Sequence, residues 1–217
     1  MRKFESYKCS KCGNIAEIQH VGGGEMHCCG QKMEMITENL TVVNLMKAFS
    51  GESMARNKYE YFAKIAQKEG LRDIAEHFQR AANNEKRHAK IELEFYNEIL
   101  NGEKFGDTKE NLNIAIEGEN YENTTMYPDF AKIAKDEGYD KIAKKLSLIG
   151  DVEIEHENMY KELLERLENN KEFESNDENE EWICEVCGHI HRGKKALKKC
   201  PVCDHPQEYQ SRLNSKK

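Results

Sequence analysis

The 217-residue chain contains no long apolar run, no apolar core in its first nine residues and no basic excess, and each absence argues against one class of protein. Without a stretch of about 20 apolar residues, the sequence predicts no membrane span. Residues 1–9 contain no apolar core of the kind that signal peptides have, so we expect a cytoplasmic protein. A formal net charge of -7 argues against a nucleic-acid partner, because nucleic-acid-binding proteins usually carry a basic excess. The one basic stretch, residues 192–199, indicates a solvated loop, with a docking patch for an acidic redox partner as the alternative.

Cysteine, by contrast, is plentiful, and its eight copies fall into one group of four near each end of the chain. Proteins of the cytoplasm rarely keep disulfides, so each group suits one metal ion. Four thiolates leave no open coordination position, and such a site is therefore structural or carries electrons. In the C-terminal group the spacing alone leaves zinc and iron equally open, whereas the adjacent cysteines of the N-terminal group are unusual for a zinc ribbon. The predicted ligands are Cys9, Cys12, Cys28 and Cys29 in the first group and Cys184, Cys187, Cys200 and Cys203 in the second.

Between the two cysteine groups the hydrophobic period is helical. It predicts four helices of about 30 residues, near 40–70, 71–100, 108–138 and 139–169, with a kink at Pro128 in the third. The two halves repeat each other, because the residues 62–66, Phe-Ala-Lys-Ile-Ala, return as residues 130–134. The sequence therefore predicts a duplicated helical hairpin that forms a four-helix bundle.

Each half also carries a Glu-x-x-His pair, Glu85/His88 in the first and Glu153/His156 in the second, 68 residues apart. Residues i and i+3 share a helix face, and a carboxylate beside an imidazole suits iron or manganese. Because unpaired carboxylates in an apolar seam are costly, further glutamates on the apolar stripes indicate a shared two-metal site, as in ferritin-like di-iron proteins. The predicted ligands are Glu52, Glu85, His88, Glu119, Glu122, Glu153 and His156.

Several motifs resemble one known family. Residues 50–59, residues 117–128 and His156-Glu157 ahead of Tyr160 look like rubrerythrin motifs, and residues 182–206 are similar to the rubredoxin tail of that family. Residues 7–35 resemble desulforedoxin and the matching domain of desulfoferrodoxin. The order of the three parts resembles the desulforubrerythrin form of the rubrerythrin family.

The resemblance implies a mainly α fold, in which a ferritin-like four-helix bundle is flanked by two small four-cysteine iron-binding modules. We expect a desulforedoxin-like domain at 1–37, a di-iron bundle at 38–170, an acidic linker at 171–181 and a rubredoxin-like domain at 182–217. The linker is predicted to be a flexible coil that spans roughly 20 Å. This short reach, together with the resemblance, indicates a homo-oligomer, either a dimer or a tetramer.

The function that the resemblance implies is a non-haem di-iron peroxidase for oxidative-stress defence. It would reduce hydrogen peroxide to water with electrons that a NAD(P)H-linked reductase passes through the rubredoxin-like iron. The cofactors would be one tetrathiolate iron site in each cysteine module and one di-iron site in the bundle. This assignment suits the chemistry of the reaction. Peroxide takes two electrons at once, which a diferrous pair holds, whereas each thiolate-bound iron passes only one.

The resemblance also implies roles for the bundle residues. Glu85 and Glu153 would bridge the irons, and one iron would move between Glu122 and His88 on redox change. Two tyrosines match family tyrosines beside the irons, with an ordinary core position as the alternative reading. The remaining implied residues are the terminal carboxylates Glu52 and Glu119, the second nitrogen ligand His156, and the tyrosines Tyr59 and Tyr127.

Two other functions share some of these features. A ferritin-like ferroxidase or iron-binding protein would have the bundle carboxylates but no use for appended thiolate sites. A superoxide reductase would explain the N-terminal module, but its catalytic iron requires a His-rich site with a single cysteine, and all eight cysteines are already assigned. A purely structural zinc protein would be colourless, whereas ferric tetrathiolate sites absorb visible light.

Overall fold

The computed structural model describes residues 6–11, 15–18, 22–35 and 40–213. The chain forms two compact units, Met1–Phe105 and Gly106–Lys217. Each unit contains one cysteine module and one antiparallel pair of long helical segments. The prediction of a mainly α protein with a small cysteine module toward either end is confirmed. None of the helices in the described ranges carries an apolar stretch of the length that a membrane span needs.

The N-terminal module is built from short antiparallel strands. The strands β1 (Ser6–Lys8), β2 (Ile15–Glu17) and β5 (Glu34–Met35) form a sheet in the order β2-β1-β5. The strands β3 (His27–Cys28) and β4 (Gln31–Lys32) form a separate hairpin.

The first helical hairpin consists of α1 (Leu40–Lys68) and α2 (Arg72–Asn101). Its turn depends on Gly70, whose φ of 82° lies in the left-handed region. The Leu71 N–H donates to the Ala66 carbonyl at 2.9 Å, which satisfies one of the last carbonyls of α1. The chain therefore reverses its direction within three residues, in agreement with the predicted helix boundary near residue 70.

The second helical pair has an irregular first member. It begins as α3 (Thr108–Tyr121), continues as a π-helical segment (Glu122–Met126) and ends as α4 (Tyr127–Asp136). The return helix is α5 (Asp140–Glu168). The sequence predicted a kink at Pro128 but not the π-helical segment, which ends two residues before that proline.

The two helical pairs bury the same seam of small residues. Ala75, Ala82 and Ala89 are the buried residues of α2, and the residues 68 positions later in α5 are buried as well. Small side chains at a spacing of seven let the paired helices approach closely. The equivalent buried residues are Ala63/Ala131, Ala66/Ala134, Ala75/Ala143, Ala82/Gly150 and Ala89/Glu157. The last pair breaks the pattern, because a carboxylate takes the place of a methyl group.

The C-terminal module is a three-stranded antiparallel sheet in the order β7-β6-β8. Its strands are β6 (Glu181–Cys184), β7 (Ile190–Arg192) and β8 (Gln210–Arg212), and a short 3-10 helix (Gln207–Tyr209) precedes β8. Trp182 fills the core of the module with 1% of its surface exposed. Its indole N–H donates to the Gly193 carbonyl at 2.8 Å, so the one polar atom of the side chain is satisfied.

The segment 171–181 belongs to this module, and the prediction of a flexible coil there is wrong. The Ser175 N–H donates to the Lys194 carbonyl at 2.7 Å, and the Ala196 N–H donates to the Phe173 carbonyl at 3.0 Å. Arg212 also donates to the Glu174 carbonyl. Composition suggested disorder because the segment is acidic and polar, but its backbone groups pair with the module. The argument for an oligomer from a short, flexible tether therefore does not hold.

Candidate metal centres

The four C-terminal cysteines converge on one point. Their sulfurs all lie within 4.8 Å of one another, with Cys184–Cys203 and Cys187–Cys200 Sγ distances of 3.6 Å each. Each Cys-x-x-Cys segment is folded by its own backbone. The Gly188 N–H donates to the Cys184 carbonyl at 2.8 Å, with Gly188 at a φ of 75°. This is the arrangement expected of four ligands around a single ion.

The electrostatics of this cluster favour a cation. Burial works against ionisation of Cys200, but the backbone N–H groups of Cys203 and Val202 outweigh it and lower the pKa of Cys200 to about 6. The His205 N–H opposes any rise at Cys203, but burial and the neighbouring thiols together raise the pKa of Cys203 to about 12. One thiolate thus makes the next harder to form. A bound metal ion removes this conflict because it stabilises all four thiolates.

The N-terminal cluster brings three sulfurs together, those of Cys9, Cys28 and Cys29, again within 4.8 Å. The adjacent pair is possible because Cys29 and Gly30 have φ values of 54° and 75° in the turn between β3 and β4. Two positive φ values are typical of the tight hairpin turn that matches strand twist. The fourth predicted ligand, Cys12, lies outside the described residues.

In the first helical hairpin, Glu52 of α1 lies beside Glu85 and His88 of α2. His88 Nδ1 is 2.8 Å from Glu85 Oε2 and 3.9 Å from Glu52 Oε1. Burial raises the pKa of Glu52, and the nearby carboxylate of Glu85 raises it further. The three side chains offer ligand atoms within 4.8 Å of one another, so they fit a single ion.

The second helical pair repeats this group with Glu119, Glu153 and His156. His156 Nδ1 is 2.6 Å from Glu153 Oε2 and 3.6 Å from Glu119 Oε2. Burial raises the pKa of Glu119, and the carboxylates of Glu153 and Glu122 add to the rise while His156 opposes it. Glu122 lies outside the three-residue group but close enough to act on Glu119 electrostatically.

The π-helical segment explains how the second helical pair differs from the first. Glu119 and Tyr127 are eight residues apart, whereas their equivalents Glu52 and Tyr59 are seven apart. The extra residue is accommodated where the Tyr127 N–H donates to the Glu122 carbonyl five residues earlier. A single inserted residue commonly produces such a π-turn, often at functional sites.

The two predicted tyrosines occupy different surroundings. Burial raises the pKa of Tyr127, and the carboxylates of Glu122, Glu153 and Glu119 raise it further, so its hydroxyl is electrostatically coupled to the acidic group. Tyr59 instead packs against aromatic rings, with its centroid 6.2 Å from that of Phe78. The geometry in the first helical hairpin therefore agrees with the core reading of Tyr59.

Two glutamates near these groups were missed by the sequence reasoning. Glu92 lies one turn beyond His88 on α2, and burial raises its pKa. Its position seven residues after Glu85, on the same helix face, was the available signal. Glu157 is 6% exposed, and a hydrogen bond from Lys161, followed by one from Asn123, lowers its pKa. The His156-Glu157 motif was visible, but its second residue had no assigned role.

Comparison with known proteins gives three family matches along the chain. A rubrerythrin family model matches residues 43–164, the rubrerythrin rubredoxin-like domain matches 182–209, and the desulfoferrodoxin N-terminal domain matches 1–36. The first match extends from α1 into α5 and confirms the predicted ferritin-like helical domain.

Individual proteins give the same pattern. The chain is 46% identical to rubrerythrin-1 of Clostridium acetobutylicum over 188 residues, which cover 82% of this chain and 96% of that protein. It is 54% identical to desulfoferrodoxin of Syntrophotalea carbinolica over 37 residues, or 17% of this chain and 29% of that one. A solved structure of nigerythrin is 30% identical, covers 80% of this chain and 86% of its own, and superposes with a TM-score of 0.31. On the family match and the near-complete coverage of the Clostridium protein, the chain belongs to the rubrerythrin family.

Proposed function

We propose that this protein reduces hydrogen peroxide to water at a di-iron centre, with electrons that a NAD(P)H-linked reductase delivers through the rubredoxin-like iron. The family consists of di-iron proteins of oxidative-stress defence. The observation that carries the proposal is the pair of equivalent Glu-Glu-His groups, one on each helical pair. Reduction of peroxide breaks its O–O bond, takes up two electrons and two protons, and leaves two water molecules.

The donor set of these groups fits iron. Each group offers two carboxylates and one imidazole, and nitrogen and oxygen donors suit iron. Burial raises the pKa values of Glu52 and Glu119 although a histidine beside each opposes the rise, so the protein alone compensates their charged forms only in part. A pair of ferrous ions, when bound, supplies both electrons that one peroxide requires. We assign bridging roles to Glu85 and Glu153, and we retain His88 and His156 as the nitrogen ligands.

The remaining carboxylates and Tyr127 complete the site. Glu52, Glu119 and Glu122 serve as terminal ligands in this proposal. The Tyr127 hydroxyl keeps its proton, because burial and three carboxylates raise its pKa. It can therefore donate a hydrogen bond to an oxygen atom held beside Glu119 and Glu153.

The C-terminal module is the proposed entry point for electrons. A cavity of about 530 Å³ lies between this module and α5 of its own unit, and Met159, Leu163, Trp182 and Arg212 help to line it. Met159 lies one turn beyond His156 on the same helix. This proximity supports delivery of electrons from the thiolate site toward the bundle.

The basic stretch 192–199 gives little support to a docking patch for an acidic reductase. Four of its five cations pair with carboxylates of the same module, so its charge is largely balanced internally. These pairs are Arg192–Glu181, Lys194–Glu178, Lys195–Glu174 and Lys199–Asp204. We therefore retain the interpretation of a solvated loop and leave the reductase surface unassigned.

We also propose a homo-oligomer. Equivalent apolar side chains remain exposed on both helical pairs, including Phe62 and Ile65 in α1 at 42% and 53%, and Phe130 and Ile133 in α4 at 49% and 53%. Exposed apolar side chains on a helix are available to pack against another helix, and rubrerythrins are generally homo-oligomeric, so we assign this packing to a second copy of the chain. Sedimentation of the purified protein at several concentrations tests this proposal, which a monomer at every concentration would refute.

The proposed division of labour is tested with two variants. Glu153→Ala removes a bridging carboxylate and should abolish the single-turnover reaction of the reduced protein with peroxide, while the visible absorption of the thiolate irons survives. Cys184→Ala should leave the single-turnover reaction intact, because the bundle can still react once, but it should slow the re-reduction of the bundle iron. Stopped-flow mixing separates the two steps. Equal loss of the single-turnover reaction in both variants would contradict the assignment.

A further inference from the structure

Glu157 is the one residue that breaks the repeated seam of small side chains. The buried positions of α5 are Ala143, Gly150 and Glu157, and the equivalent third position of α2 is Ala89. An unpaired carboxylate in a helix seam is costly, so its presence in one half alone calls for a specific role.

The carboxylate is held by three donors within the same unit. Asn120 Nδ2 donates to Oε1 at 3.0 Å, Asn123 Nδ2 donates to Oε2 at 2.8 Å, and Lys161 Nζ lies 2.6 Å from Oε1. Each oxygen thus accepts one amide hydrogen bond, and the lysine balances the charge. Hydrogen bonds to a charged group are stronger than those between neutral groups.

The two asparagines mark the place where the helix departs from α geometry. Asn120 directly follows Glu119, and Asn123 directly follows Glu122 at the start of the π-helical segment. Thr124 Oγ1 also donates to the Asn120 carbonyl at 2.6 Å. A π-turn can shift along a helix unless something fixes it, and such a shift would rotate both glutamates around the helix axis.

We propose that Glu157 is a positioning residue that ties α5 to the Asn120–Asn123 turn and thereby fixes the directions of Glu119 and Glu122. The inference rests on the proposed role of these two glutamates as iron ligands. The first helical hairpin needs no such tie, because it has one residue fewer between Glu52 and Tyr59 and carries Ala89 at the seam.

The test compares three full-length, iron-loaded variants with the wild-type protein. Glu157→Ala copies the first helical hairpin, and Glu157→Gln keeps the side-chain volume but leaves only one oxygen to accept. Glu155→Gln is the matched control, because Glu155 is exposed on the same helix, two residues before Glu157 and between the proposed ligands Glu153 and His156. The two readouts are amide hydrogen exchange in residues 119–127 and the rate at which bundle iron passes to a ferrous chelator.

For Glu157→Ala we expect exchange in residues 119–127 to be at least about tenfold faster, because two charge-assisted hydrogen bonds are lost. Iron release should be about 10–100-fold faster, as is typical when a group that orients a metal ligand is removed. Glu157→Gln should lie between Glu157→Ala and the wild type, and Glu155→Gln should match the wild type.

Unchanged exchange in residues 119–127, or faster exchange with unchanged iron release, would overturn the positioning role. Equal acceleration of exchange throughout α3, α4 and α5 would overturn it as well, because that result indicates general destabilisation. If Glu157→Ala does not fold, the isosteric Glu157→Gln decides by the same two readouts. Peroxide turnover is not a readout, so failure of the peroxidase proposal leaves this result interpretable.

Discussion

The close packing of Tyr127 against Gly150 gives a prediction that links the helix seam to the metal site. A Cβ added at Gly150 would lie 3.1 Å from Tyr127 Cβ and 3.8 Å from its Cγ. Ordinary carbon–carbon contacts are about 3.5–4.0 Å. Gly150→Ala therefore forces α5 and the Tyr127 side chain apart by a few tenths of an ångström. Gly118 provides the control, because a Cβ added there meets no atom within 4 Å.

The expected magnitudes follow from two opposing effects. Alanine is more favourable than glycine in a helix interior by about 1 kcal/mol, so Gly118→Ala should stabilise the protein by about that amount. Overpacking costs about 1–3 kcal/mol, so Gly150→Ala should lie about 1–3 kcal/mol below Gly118→Ala. For a chain of this size, that difference corresponds to a transition about 2–12 °C lower.

Thermal unfolding followed by circular dichroism at 222 nm measures the difference, because this signal reports on the helices. Gly150→Ala should also change the near-ultraviolet signal of the tyrosines. Stabilisation of Gly150→Ala equal to that of Gly118→Ala would refute the close approach of Tyr127 to α5, and with it the placement of the Tyr127 hydroxyl beside the carboxylates.

Two further predictions concern stability. Asp107→Ala removes the capping box at the start of α3, in which Asp107 accepts from the Glu110 N–H at 2.9 Å, and should cost about 1 kcal/mol in urea unfolding; no change would show that the cap is dispensable. In metal-free protein, raised pKa values of Glu52 and Glu119 mean that the folded state binds protons more tightly than the unfolded chain. The resulting gain in the free energy of unfolding is fully present below the ordinary glutamate pKa of about 4.3. It is lost as the pH rises through the raised pKa values of the folded protein. The urea midpoint should therefore depend less on pH in the Glu52→Gln/Glu119→Gln variant than in the wild-type protein. An identical pH dependence in the two proteins would contradict the raised pKa values of these glutamates.

The helices and the two carboxylate-histidine groups could be predicted because the repeat carries strong local signals. Gly70 and its equivalent Gly138 both end a helix at a positive φ, and each Glu-x-x-His pair falls on one helix face. Of the seven bundle residues that the sequence predicted as ligands, the structure brings together Glu52/Glu85/His88 and Glu119/Glu153/His156.

The irregular features were not predicted because their signals are comparative or depend on tertiary contacts. The π-helical segment is visible in the sequence only as one additional residue between Glu119 and Tyr127 relative to the first half. The role of Glu157 depends on donors 34 and 37 residues away. Residues 171–181 have the composition of a linker, and only their backbone pairing with the module shows that they are ordered.

The most direct test of the proposed function is an anaerobic titration of the fully reduced protein with hydrogen peroxide. With four irons per chain, two in the bundle and one in each cysteine module, the reduced protein holds four electrons. We predict that each chain consumes more than one peroxide molecule and that the red absorption of the rubredoxin-like ferric iron returns once the first has been consumed. Consumption of one peroxide while the rubredoxin-like iron stays ferrous, or a preparation from iron-replete cells that is colourless and rebinds only zinc, would contradict electron delivery from the rubredoxin-like iron to the bundle.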